Sequence, residues 1–346
     1  MASQIKQSVS LYSYQEEFYQ GKMTLEDCIK AAADAGATGV ELLPEEMMWD
    51  FPMVTDVFKE KWFGWMAQYG TTPTCYDAFL ENHIFQNRTC TLREQVENMV
   101  RDLRIAHELG FTTLRTLVST PMDVIERSLP FAEQYNVKIC LEVHPPFSLN
   151  STWADGYLEM INRTKTKFFG FMPDLGIFCR RLPDVFVEQA RRKGASDAAV
   201  KLVEEAYAQR VHDGFKKIEY DTVLGRSFQK YCRENGQDKL VAEVKALNGA
   251  PADVQLAIES YNYSWSDPQD IVDNIDVIYH AHAKFYNMTA ANVEPAIPID
   301  EVVAAFRKAG YQGYLSSEYE GNRLINDAFT VDSVTQVSRH QQALAA

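Results

Sequence analysis

Val137-Lys138-Ile139-Cys140-Leu141-Glu142-Val143-His144-Pro145-Pro146 is the stretch from which the fold can be read. It is short and mostly apolar, and two prolines close it; a proline lacks the N–H that a further ladder residue would donate. These properties predict a β-strand. Side chains of a strand alternate faces, so Glu142 and His144 share one face while Leu141 and Val143 take the other. A carboxylate at the end of an apolar strand is costly to bury unless it is paired or holds a metal. Three later runs end in the same manner: 168–174 in Pro173-Asp174, 277–285 in His280-Ala-His282-Ala-Lys284, and 314–319 in Ser317-Glu318-Tyr319, followed by Glu320.

Four earlier runs, 8–13, 39–43, 72–76 and 112–118, have the same apolar or β-branched character, which makes eight predicted strands. Helical patterns separate them. Thr24-Leu-Glu-Asp27 is a capping-box start, followed by apolar positions at helical spacing and a stop at Gly36. Thr91-Leu-Arg-Glu94 repeats the device ahead of Val96, Met99, Val100, Leu103 and Ala106, which run at helical spacing to Gly110. Strands alternating with helices imply parallel pairing through right-handed crossovers. Eight such units predict a closed α/β (β/α)8 TIM barrel whose site lies at the C-terminal strand ends. An open doubly wound sheet is the alternative, but no early Gly-x-Gly-x-x-Gly is present, and neither a nicotinamide nor a flavin is expected.

One interval is too long. Glu142 and Asp174 are 32 residues apart and His282 and Glu318 are 36 apart, whereas Asp174 and His282 are separated by 108. A barrel unit takes about 30 to 40 residues, so a helical insertion follows the sixth strand. Residues 180–251 fit it, being charged and rich in helix formers at 185–192, 197–211 and 227–234. They contain no Gly/Ser linker, so residues 1–346 are expected to form one domain.

Composition bounds the function. The chain is 46% hydrophobic and 24% charged, ordinary for a protein with a large core, and its net charge is −14. A phosphate-backbone binder needs a basic surface, so no nucleic-acid partner is expected. No run approaches transmembrane length, the first residues lack the apolar core of a signal peptide, and the six cysteines show no Cys-x-x-Cys pair. A cytoplasmic protein with reduced thiols and no membrane partner is the expectation.

The site candidates come from the strand ends. Glu142, Asp174, His282 and Glu318 offer three carboxylates and one imidazole, an oxygen-rich set suited to Mn²⁺, with Mg²⁺ or Co²⁺ as alternatives. His144 is the candidate catalytic base. His280 and Lys284 lie on the face of His282, and Glu320 on that of Glu318, so all three are candidate substrate contacts, with Arg115 and Tyr76 from earlier strand ends. Glu41 and Asp77 could serve substrate or packing alike. Each ligand has a plain structural reading: a strand-end ion pair for Glu142, turn chemistry for Asp174, and an exposed edge strand for the three basic groups at 280–284.

The four-residue set resembles the metal-binding residues of the xylose-isomerase-like sugar isomerase/epimerase barrels, and Tyr-Leu-Ser-Ser-Glu-Tyr-Glu-Gly at 314–321 is typical of them. The resemblance covers nearly the whole chain. It implies a proton-transfer role for Glu142 and Glu318, as in ketose epimerases. The insertion, together with Leu-Glu-Val-His-Pro and His-Ala-His-Ala-Lys-Phe-Tyr, is more similar to the larger (alpha) subunit of bacterial C-glycoside deglycosidases. That resemblance implies Mn²⁺, a smaller beta subunit in a hetero-oligomer, and a substrate whose sugar is a 3-keto form. The reaction it implies is enolisation followed by loss of the aglycone, a metal-dependent carbon–carbon lyase. The alternative is a ketose 3-epimerase or sugar isomerase on the same metal site. A DNA-repair endonuclease of this barrel type would carry more histidines than the seven here, and a non-catalytic sugar-binding barrel would not need four ligands.

Overall fold

The structure is a computed structural model that describes residues 5–80, 82, 84–219, 224–247, 249–325 and 332–346. All eight predicted strands are present: β1 (Lys6–Ser10), β2 (Gly39–Leu42), β3 (Thr72–Asp77), β4 (Thr113–Thr116), β5 (Lys138–Val143), β6 (Phe169–Pro173), β7 (Ala281–Phe285) and β8 (Tyr314–Tyr319). They pair in parallel in the order β6-β5-β4-β3-β2-β1-β8-β7. Isolated parallel bridges, Phe171 to Ile278 and Asp174 to His282, bring β6 and β7 together and nearly close the barrel. Gly170 makes this seam possible, because a Cβ there would lie 2.5 Å from the Val277 carbonyl and 2.7 Å from the Tyr279 ring.

Several strands are shorter than the apolar runs suggested, the run at 112–118 pairing only over Thr113–Thr116. The run at 8–13 leaves the sheet after Ser10, where Leu11–Tyr14 turns as a 3₁₀ helix, and the run at 277–285 joins it only from Ala281. Apolar residues here line turns as well as strands. The helix Leu25–Asp34 begins with the expected reciprocal cap, Thr24 Oγ1 accepting from the Asp27 N–H at 3.2 Å and Asp27 accepting from the Thr24 N–H at 2.9 Å. The same arrangement of Thr91 and Glu94 starts the helix Leu92–Glu108.

Alternation sorts the strand residues into two cores. One face of each strand packs against the helices in a single large cluster that includes Leu141, Val143, Tyr76 and Phe171. The other face fills the barrel, with Cys75, Cys140 and Met172 forming a small apolar floor. Between β6 and β7 lie Asp184–Arg192, Asp197–Asp213, Leu224–Glu234, Gln237–Ala246 and Pro251–Glu259, all helical, and their buried residues Phe186, Val203, Tyr207, Val244 and Leu256 join the large cluster. Phe178 bridges to Trp265, tying the end of β6 to the return of the insertion. All six cysteines are buried. No helix among the described residues is long and apolar enough to cross a membrane.

Candidate metal centre

Above the floor of Cys75, Cys140 and Met172, the inward positions become charged. Glu41 from β2, Asp77 from β3, Arg115 from β4, Glu142 from β5 and His282 from β7 are all buried. His282 is the hub. Its Nδ1 lies 3.0 Å from Glu142 Oε1 and 3.3 Å from Glu318 Oε1, and its Nε2 lies 2.9 Å from Glu41 Oε2 and 3.9 Å from Asp77 Oδ1. Two overlapping donor groups result, Glu142–His282–Glu318 and Glu41–Asp77–His282, each with its ligand atoms within 4.8 Å of one another.

These charges hold one another in unusual states. Burial drives the His282 imidazole toward neutrality, but Glu318, Glu41 and Glu142 outweigh it and raise its affinity for a proton well above the ordinary value. Burial alone would raise Glu142 and Glu41; Arg115 and His282 hold the former well below the usual carboxylate range, and His282 and His280 do the same for the latter. Glu318 is pushed up to about 8, burial being the larger influence against the pull of His282 and Lys284. Asp77 is likewise pushed up to about 6 by burial, despite Arg115.

The predicted residues are distributed over three levels. Glu142, His282 and Glu318 come together. Asp174 stands at the same mouth, but one oxygen accepts from the Gly176 N–H at 2.7 Å and the other pairs with Lys284, which places its carboxylate outside the two donor groups. Lys284 is buried, and its ammonium also lies 3.3 Å from Glu320 Oε2 and 3.8 Å from Glu318 Oε2. Arg115 reaches the interior, 3.4 Å from Asp77 Oδ1 and 3.7 Å from Glu142 Oε2, with its Nε and Nη1 free of hydrogen bonds. His144 lies at the rim, its side chain 43% exposed and its Nε2 3.8 Å from Asp174 Oδ2. Its Nδ1 lies 2.8 Å from the Pro145 carbonyl oxygen. A carbonyl only accepts, so Nδ1 carries the hydrogen and the neutral ring presents the Nε2 lone pair.

Two assignments need correction. Tyr76 does not face the site: alternation turns it outward between Cys75 and Asp77, where its hydroxyl lies 3.5 Å from Asp102 Oδ1 and its ring meets Phe111 edge-on. His280 does face the interior but sits below His282, its Nε2 bonded to Glu41, so it is no rim contact for a substrate. Glu41 and Asp77, in contrast, are central although strand-end position alone left them open. The signal that places them is register: Glu41 lies beside Ser10 and Cys75, and Asp77 beside Arg115.

The residues present fit a divalent ion. Glu318 Oε2 and Asp77 Oδ1 are buried without a hydrogen-bond partner, in a cluster of carboxylate and imidazole donors of the kind a hard cation takes. Fold and site together define the class: the chain belongs to the xylose isomerase-like TIM barrel family, whose description matches residues 29–219. Among curated proteins it is 31% identical to the C-glycoside deglycosidase alpha subunit of Arthrobacter globiformis, over 92% of this chain and 86% of that one. It is 26% identical to the 3'-dehydrocarminate deglycosidase alpha subunit of a Microbacterium species, over 90% of this chain and 87% of that one. Among solved structures, D-psicose 3-epimerase of Clostridium cellulolyticum H10 shares the fold at a TM-score of 0.55 and 11% identity, covering 99% of this chain and 98% of that one.

Proposed function

We propose that this chain is the catalytic subunit of a divalent-metal-dependent C-glycoside deglycosidase acting on a 3-keto sugar, paired with a smaller subunit. The observation that carries the reading is the rim arrangement, in which the Nε2 lone pair of His144 faces Asp174 beside the Glu142–His282–Glu318 donor group. The two relatives named as deglycosidase alpha subunits support the reaction class and the partner, and the second carries a 3'-dehydro substrate in its name. Residues 1–346 are read as one domain with a helical insertion over 180–251.

In this reading Glu142, His282 and Glu318 would hold the ion, with Asp174 as fourth ligand, and Mn²⁺ is the metal we favour. When bound, the ion supplies Lewis acidity to the substrate's ketone and adjacent hydroxyl. The chain does the rest. His144 Nε2 takes the proton from C2, which is acidified by the C3 ketone. The electron pair left at C2 forms the C1–C2 double bond as the C1–aglycone bond breaks, and the departing aglycone carbon takes a proton. Lys284 and Glu320 at the rim contact the sugar, and Arg115 keeps Glu142 ionised. A ketose 3-epimerase is the second reading, favoured by one feature: Glu142 and Glu318 flank His282 Nδ1 from two different strands, so that proton removal and return could fall to different carboxylates.

Metal analysis beside turnover of a 3-keto-C-glycoside, with the small subunit supplied, tests the proposal. Glu142→Gln should lose both metal and aglycone release. His144→Ala should keep the metal and lower turnover by about 10²- to 10⁴-fold. An epimeric ketose without free aglycone would favour the second reading, and full activity of His144→Ala would remove the base assignment.

A further inference from the structure

His282 has two ring nitrogens and both face carboxylates, so geometry alone offers two places for a cation. A neutral imidazole carries one lone pair and one N–H, and a carboxylate cannot donate to either. One nitrogen therefore binds the ion while the other donates to a carboxylate. The surroundings decide which. On the Nε2 side, Glu41 gives its second oxygen to His280, and Asp77 lies against the Arg115 guanidinium at 3.4 Å. Both oxygens of Glu41 are thereby committed to histidine nitrogens, and Arg115 lies nearer to Asp77 than to Glu142. On the Nδ1 side, Glu142 Oε1 and Glu318 Oε1 lie at 3.0 Å and 3.3 Å, Glu318 Oε2 has no hydrogen-bond partner, and the cations stand farther off, Arg115 at 3.7 Å from Glu142 and Lys284 at 3.8 Å from Glu318.

We propose that Glu41 is a positioning residue that accepts the Nε2–H of His282, fixing the tautomer whose Nδ1 lone pair points at the Glu142–Glu318 pair. His280 in turn orients Glu41. The chain of contacts runs from the residue before β7 to β2 and into β7, His280 to Glu41 to His282, and is buried throughout. Carboxylates that receive the free N–H of a ligating histidine commonly set its ring orientation and basicity. This assignment rests on the metal reading proposed above and adds a residue that touches neither ion nor substrate.

The test uses the intact chain and Mn²⁺ alone, followed by calorimetry, with nitrogen-15 NMR of histidine-labelled protein loaded with Mg²⁺ or Cd²⁺. Wild type should bind one ion, with His282 protonated on Nε2. Glu41→Ala should weaken Mn²⁺ binding about 10- to 100-fold, and Glu41→Gln, whose amide oxygen can still accept, should restore part of that loss. Circular dichroism of both variants separates lost positioning from lost folding, and the glutamine form keeps the test open if the alanine form fails to fold. Two ions per wild-type chain, or a metal-bound Nε2, would make Glu41 and Asp77 ligands themselves and overturn the proposal. Unchanged affinity in folded Glu41→Ala would overturn it alone, leaving the metal reading intact. A wild-type chain that binds no ion overturns both.

Discussion

At the scale of single residues, burial decides how His340 behaves, and no motif marks it. Its ring stacks on Phe285 with centroids 4.0 Å apart, its Nδ1 lies 2.6 Å from Ser317 Oγ, and burial pushes its pKa down to about 3. The folded state thus keeps it neutral while the unfolded chain protonates it below about pH 6.5. Unfolding takes up a proton in the window between those values, so stability falls as pH drops from about 6.5 toward 3. Between pH 6.5 and 4 the loss should be about 3 kcal/mol, read as the difference in denaturation profiles between wild type and His340→Gln, which cannot titrate there. An identical acid slope in the two proteins would show that His340 does not contribute. The same scale explains the error at Tyr76. A polar-tipped side chain at a strand end reads as a substrate contact, yet Cys75 and Asp77 take the inner face and leave Tyr76 to the helix layer.

At the scale of elements, period and punctuation carried most of the information. Eight apolar runs, two capping boxes and one overlong interval placed the strands, the early helices and the helical insertion, because each depends on neighbours close in sequence. The cap of Leu25–Asp34 can be weighed directly: Thr24→Ala removes the acceptor for the Asp27 N–H and should cost about 1 kcal/mol in denaturant titration with metal content unchanged. A stability loss below about 0.3 kcal/mol would mean that the box is ornamental, since known cap deletions cost more. Depth inside the barrel was not legible. Alternation puts His280, His282 and Lys284 on one face, but whether each is below, within or above the donor cluster depends on the stagger of strands far apart in the chain. The register shift between Val40 and Glu41 hides Glu41 from a count along β2 in the same way.

At the scale of the whole molecule, the fold sets the electrostatics of its own mouth. Every strand from β2 to β8 except β6 sends a charged side chain from within its own length into the barrel, and β6 supplies Asp174 one residue beyond its end. Carboxylates drawn so close repel one another, and Arg115, Lys284, His280 and His282 are what the chain offers against that repulsion. The seam between β6 and β7 has a consequence of its own. Seven of the strand junctions are ladders of three or more paired residues, whereas this one rests on two isolated bridges, and its rim bridge is formed by Asp174 and His282 themselves. An ion held by both would act as a clasp on the weakest stave of the barrel. Metal should therefore raise the melting temperature and slow amide hydrogen exchange most at 171–174 and 278–282, with far less effect at the β3–β4 junction. Uniform protection around the ring would mean that the seam is closed without it. Where the clasp holds, losing metal and opening the barrel become one event.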